Sequence, residues 1–307
     1  MSRACRLSLF GLVASTFMFQ LLPAAEKADC RSPKESKDPK DSAPKVTWHT
    51  DYGHAMKLAE RQGKMLLVFF SCAKNDSQCR RLARETLDAP QVRRKLQDYV
   101  CVRVSLKEKI VTGGKEMVLL KHPAYAEMLG KPGVAIVDFA SKDKKLNGSV
   151  VSTFPITGKL WYTPERMMVI LDLPPGTLTQ RTLVYAVRIH PENPASTEGE
   201  IDPKLVDEAR SHSEHQARIR LQGHHQWNSR FRRINTKLPS DLSACEVCAE
   251  SWPGESLVEA AVECVRCWRF SSGHWSAVRA RHRVWGYDMK RGHNGVWYAT
   301  GIFGRKG

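Results

Sequence analysis

Residues 64–92 read KMLLVFFSCAKNDSQCRRLARETLDAPQV, and the way this stretch divides decides the fold. Lys64 to Phe70 carries an unbroken apolar run, the pattern of a strand covered on both faces. Cys79 to Leu87 keeps helical spacing, and Gln91 to Gln97 makes a second short helix after Pro90. Upstream, Ala55, Met56, Leu58 and Ala59 give Asp51 to Gln62 a helical face, with Asp51 as N-cap and Gly63 as stop. Downstream, Val100 to Leu106 is rich in β-branched residues, and Pro123 to Leu129 allows a helical turn or two. Val134 to Phe139 and Ser149 to Phe154 read as two more strands. Thr163 to Leu171 closes the series as a helix, capped by Thr163 with Pro164 at its first position. Strands that alternate with helices and end in a hairpin predict an α/β fold, a mixed sheet with helices on both faces.

The 307 residues suggest about two domains. At the N-terminus, Arg3 and Arg6 precede an apolar run from Leu7 to Leu22, followed by Ala24 and Ala25. That run is short for a bilayer, which needs roughly 20 apolar residues, and it contains Ser8, Ser15, Thr16 and Gln20. Residues 1–25 therefore read as a cleavable secretion signal, a retained anchor being the alternative. Residues 26–45, rich in Lys, Asp, Ser and Pro, read as a disordered tether. Residues 46–173 form the first domain. Residues 174–201 form a proline-punctuated connector in which Leu183 to Ile189 reads as an extra strand, and residues 202–307 form a second domain rich in Arg, His and Trp.

Export, periplasmic or extracellular, sets the chemistry of the cysteines. Cys5 leaves with the signal, and the others enter a compartment where disulfides persist. The formal net charge of +16 favours an acidic protein or an anionic envelope polymer over nucleic acid, which is a poor partner outside the cell; plain solvated surface charge is the bland alternative. The sequence holds no Gly-x-Ser-x-Gly, phosphate-binding loop, dinucleotide glycine set or His-Glu-x-x-His, so hydrolase, kinase and dehydrogenase readings lack support.

Residues 46–173 resemble the thioredoxin superfamily, in particular its exported bacterial branch. The match runs through Lys64, the strand to Phe70, Cys79, Glu85-Thr86-Leu87, Asp88 to Val92, and Pro132 where the family has its cis-proline before a strand. The resemblance implies a Cys-x-x-Cys redox motif, whose first thiol attacks because a helix N-terminus lowers its pKa. Here that first position is Asp76, and Cys79 takes the second. A carboxylate caps a helix well but cannot attack a disulfide. Cys72, six intervening residues before Cys79, is the remaining candidate partner, as a structural or redox pair. Small buried thiols are the third reading.

In the second domain, Cys245-x-x-Cys248 and Cys264-x-x-Cys267 are fifteen residues apart, the spacing of a four-thiolate zinc site. Cys264 and Cys267 also share one face of an amphipathic helix, Ser256 to Phe270, so two disulfides explain the spacing as well. Cys245 to Trp252, the helix ending in Trp268, Ser271 to Trp275 and Asn294 to Phe303 resemble the cysteine-rich secretory (CAP) superfamily, with His215-Gln216 matching its opening helix. Val247 and Ser272 depart from the family pattern. The resemblance implies an extracellular binding module with a cavity of two His and two acidic residues, sometimes holding a metal. Glu246, Glu250, His274 and His215 match it, with His224 or His225 as sources of the second histidine. The sequence thus points to a non-enzymatic binding protein. A Cys72/Cys79 thiol-disulfide oxidoreductase and a protein binding zinc through the four late cysteines are the rivals, and no other cofactor is expected.

Overall fold

The computed structural model describes residues 43–72 and 76–306. The expected signal and most of the expected tether lie outside the described residues. The first sheet is built from β1 (Trp48–His49), β2 (Leu66–Ser71), β3 (Val100–Ser105), β6 (Gly133–Asp138) and β7 (Ser149–Pro155) in the order β1-β3-β2-β6-β7. β1 and β2 run parallel to β3, while β6 runs antiparallel to both of its neighbours, β2 and β7, so the sheet is mixed. Every residue of β2 and β6 is buried, which is why both read as continuous apolar runs. α1 (Tyr52–Gln62) starts on Asp51, whose Oδ1 accepts the His54 N–H at 2.8 Å, and ends on Gly63 at φ 59°. α2 (Ser77–Arg81) runs on into a π-helical turn, Leu82–Leu87, and α3 (Pro90–Lys95) and α4 (Pro164–Leu171) complete the layers.

A hairpin, β4 (Lys109–Thr112) and β5 (Lys115–Val118), joins β3 to the following turns. Gly113 and Gly114 form its two-residue turn at φ 57° and 74°, the left-handed pair that a tight hairpin requires.

The expected connector is a buried join. Leu183 to Ile189 is helical, not a strand: it belongs to α5 (Leu178–Arg188) and its C-cap. A capping box between Thr177 and Gln180 starts this helix. Its residues from Arg181 to Val187 are all buried, and a helix apolar on every side looks like a buried strand in sequence. α5 packs against β7 on one side and on the other against α8 (Leu257–Phe270) and β10 (Val284–Arg291). One continuous core therefore runs from Leu67 and Phe69 through Tyr185 to Trp268, Tyr287 and Phe303.

The second sheet has the order β8-β10-β11-β9, with β8 (Glu200–Ile201), β9 (Leu242–Glu250) and β11 (Trp297–Lys306). Side chains alternate across it. Cys245, Val247, Ala249, Trp285, Tyr287 and Phe303 enter the large core with α8 and α9 (Ser272–Arg279). Leu242, Ala244, Val284 and Ile302 face the other way, packing with Leu205 of α6 (Pro203–Ile219) and Ile234 of α7 (Trp227–Asn235). Gly286 is required by this second layer, because a Cβ there would stand 2.3 Å from the Val206 nitrogen. No helix among the described residues is long and apolar enough to cross a membrane.

Candidate functional site

Two clusters of chemistry-bearing side chains form, one on each sheet. In the first, Asp76 is the N-cap of α2 and its Oδ1 accepts the Cys79 N–H at 2.8 Å. That bond holds the Asp76 carboxyl below the usual range. Cys79 is 2% exposed, and its Sγ accepts the Cys72 N–H at 3.2 Å. Cys72 follows the end of β2. Burial pushes its thiol up to about 12, with Cys79 and Asp76 adding to the rise. It is protonated at neutral pH, the reverse of an activated thiol. Pro132 directly precedes β6, and Gly133 pairs with Phe70, so Pro132 lies across from the strand end where Cys72 emerges.

The second cluster surrounds Glu246 on β9, whose side chain is 1% exposed. Its Oε1 lies 2.9 Å from His224 Nδ1 and 3.8 Å from His212 Nε2, and its Oε2 accepts from the buried Arg230 guanidinium. Burial opposes its charge, yet the bonds from His224 and Arg230 prevail and keep it ionised below the usual range. A carboxylate only accepts, so His224 carries a proton on Nδ1, and its Nε2 lies 3.1 Å from His274 Nε2. The result is a chain His274–His224–Glu246. Cys248 Sγ lies 3.8 Å from His224 Nδ1, but burial pushes its thiol well up, so it is no nucleophile.

Of the expected cavity residues, Glu246 and His274 meet through His224. The other two do not join them. His212, one helical turn before His215 on α6, takes the buried place beside Glu246, while His215 faces His225. Glu250 lies four strand positions beyond Glu246, about 13 Å by strand geometry, and is exposed at the end of β9. The late cysteines do not gather either. Strand alternation turns Cys248 toward α6 and Cys245 toward α8, and Cys264 is sealed in the large core. All seven described cysteines are free thiols, so the structure holds neither a four-thiolate site nor the expected disulfides among the described residues.

His212, Glu246 and Cys248 place donor atoms within 4.8 Å of one another, the geometry a metal would need. The donors are already taken. His212 Nε2–H donates to the Gly223 carbonyl at 2.9 Å, and Arg230 sits on Glu246. A cation there would have to displace a buried guanidinium, so these residues do not fit a metal.

Two clefts open beside this cluster. One of about 490 Å³ is lined by His224, Trp227, Glu246 and Arg305. The other, of about 580 Å³, is lined by Arg281, Arg283, Arg305 and Lys306 over Ala277 and Gly304. Cys245 and Arg305 border both, so the two clefts adjoin along a basic wall.

The histidines make the fold acid-sensitive. Burial lowers His212 to about 4 despite the nearby Glu246, and it lowers His190, His215, His274 and His282 in the same direction. Unfolded histidine takes a proton below about 6.5, so the stability held by neutral His212 is full above that pH and is lost as pH falls toward 4. A loss of about 3 kcal/mol is expected between these limits from His212 alone. Urea unfolding at pH 7 and pH 4.5 measures it, and an equal midpoint at both would contradict it.

Residues 47–138 match the family described as thioredoxin-like. This segment is a thioredoxin-like domain. The thioredoxin-related protein DsbJ of Chlamydia pneumoniae is 28% identical over 103 residues, which cover 33% of this chain and 27% of that protein. The chain thus spans about a quarter of that relative's length. An outer surface protein of Borrelia burgdorferi aligns with a TM-score of 0.29 at 20% identity, over 36% of this chain and 78% of its own, which adds nothing to the assignment. The thioredoxin-like domain supplies the first cluster, with Asp76 capping α2 three residues before Cys79.

Proposed function

We propose that this chain is an exported, non-enzymatic binding protein: a redox-inert thioredoxin-like scaffold joined to a CAP-like module that takes an anionic ligand, an envelope polymer or an acidic protein. The observation that carries the reading is the thiol chemistry of the first cluster. Asp76 fills the attacking position, and of the two thiols beside it Cys72 is protonated at neutral pH while Cys79 is buried. In the second cluster, His274, His224 and Glu246 form a relay with no nucleophile at its end. The basic groove next to it supports an anionic ligand, since Arg305 and Lys306 flank an apolar floor there. Export is supported by the signal-like N-terminus and by the Dsb-related relative.

The second reading, a Cys72/Cys79 oxidoreductase, draws on the closeness of the two sulfurs. One assay separates them. With a dithiol donor, the purified chain is expected to leave insulin disulfides intact, and turnover at an ordinary thioredoxin rate would overturn the binding reading. The same preparation should bind inorganic polyphosphate at low salt, and Arg305→Ser should weaken that binding.

A further inference from the structure

The start of α2 brings together more donor atoms than a helix cap needs. Cys72 Sγ, a carboxylate oxygen of Asp76 and Cys79 Sγ lie within 4.8 Å of one another. Each comes from a different position in the fold: the residue after β2, the N-cap of α2 and the first turn of α2. Asp76 uses Oδ1 on the Cys79 N–H, which leaves its second oxygen for another partner. The Cys72 N–H points at the Cys79 sulfur at 3.2 Å, an outer contact of the kind that steadies a thiolate ligand. Among the described residues no arginine hydrogen-bonds to Asp76, in contrast to Arg230 on Glu246. This is the donor cluster of the two that leaves room for a cation.

We propose that Cys72, Asp76 and Cys79 form a zinc site, with three protein ligands and a fourth position open to water or to a ligand group. Two sulfurs and one carboxylate are a donor set zinc accepts, at about 2.3 Å for sulfur and about 2.0–2.2 Å for oxygen. Tetrahedral bonds of that length set the sulfurs about 3.8 Å apart, so the donors close by about 1 Å at most from where they stand. Asp76 has a clear place in this arrangement. A thiol at its position would be a third oxidisable sulfur in the cluster, whereas a carboxylate ligates without being oxidised. Each zinc bound releases the Cys72 and Cys79 thiol protons to solvent, and no electron moves. The site goes beyond the binding reading above and is independent of the groove on the second sheet.

The test uses the full chain, reduced and then kept free of oxygen. Zinc is added and counted per chain by native mass spectrometry, and iodoacetamide then maps which thiols it shields. One zinc per chain is expected, with Cys72 and Cys79 shielded and Cys245 still alkylated. Cys72→Ser should abolish uptake. Asp76→Asn keeps a capping side chain, so it controls for folding, and it should weaken zinc binding by at least the roughly tenfold that an outer-shell loss costs. Uptake unchanged in both variants would overturn the site, as would zinc that leaves Cys72 and Cys79 fully reactive.

Discussion

Replacing Glu246 by alanine is expected to destabilise the fold by about 3–5 kcal/mol, the cost of stranding a buried charge. The Glu246 side chain is 1% exposed and the Arg230 side chain 8%, so both are largely shielded from bulk water. Without the carboxylate, the Arg230 guanidinium keeps its charge in a dry site, and the His224 Nδ1–H loses its acceptor at the same time. Against a total stability of about 5–15 kcal/mol this is a large fraction, so the urea midpoint should fall steeply. Removing both partners together should cost much less, because apolar replacement of a buried pair is often nearly neutral. The comparison of Glu246→Ala, Arg230→Met and the double variant therefore has a defined sign, with a coupling of at least about 1 kcal/mol between the two sites. A loss below about 1 kcal/mol for Glu246→Ala would mean that the pair is solvated and that the relay His274–His224–Glu246 is not held as described.

The parts of this protein that sequence exposed are those in which one residue type has one use. β2 is legible because six consecutive buried residues leave few alternatives, and Asp76 is legible as a cap because a short carboxylate just before a helix accepts a first-turn N–H. α5 is not legible in the same way. Its run of buried residues from Arg181 to Val187 has no period, and only the Thr177/Gln180 capping box marks it as a helix. The hairpin β4–β5 carried a readable signal in Gly113-Gly114 between strand-like residues. The late cysteines show the limit of spacing as evidence. Three positions apart on a helix means one face, whereas three apart on a strand means opposite faces, so Cys245 and Cys248 diverge. His212 and His215 show the same limit on α6, where helix rotation against β10 decides which of two neighbouring histidines meets Glu246. Sequence names the candidates there, and packing chooses between them.

Asp76→Cys should give the thioredoxin-like domain a fast disulfide-reducing activity. The substitution places a thiol at the N-cap of α2, three residues before Cys79, where the exposed N–H groups of the first turn lower a thiol's pKa. A thiol so placed titrates near about 7 in a thioredoxin-type motif, against about 12 for Cys72. At pH 7 this changes the thiolate fraction by about 5 × 10⁴, from about 10⁻⁵ to about one half. Intrinsic nucleophilicity falls with pKa at a slope of about 0.4–0.5, which returns roughly 10²–10^2.5 of that gain. The net expectation is a rise of roughly 150- to 500-fold over attack by Cys72 on a disulfide, read as insulin reduction with a dithiol donor. Adding Cys79→Ser should remove the turnover, because the mixed disulfide then has no resolving thiol three residues away. The cap itself is a smaller matter, since losing the Asp76 side chain from the N-cap costs about 1 kcal/mol. If Asp76→Cys stays as inactive as the parent chain while remaining folded, the domain lacks more than one thiol, and the surface around Pro132 and Cys72 does not admit a disulfide substrate.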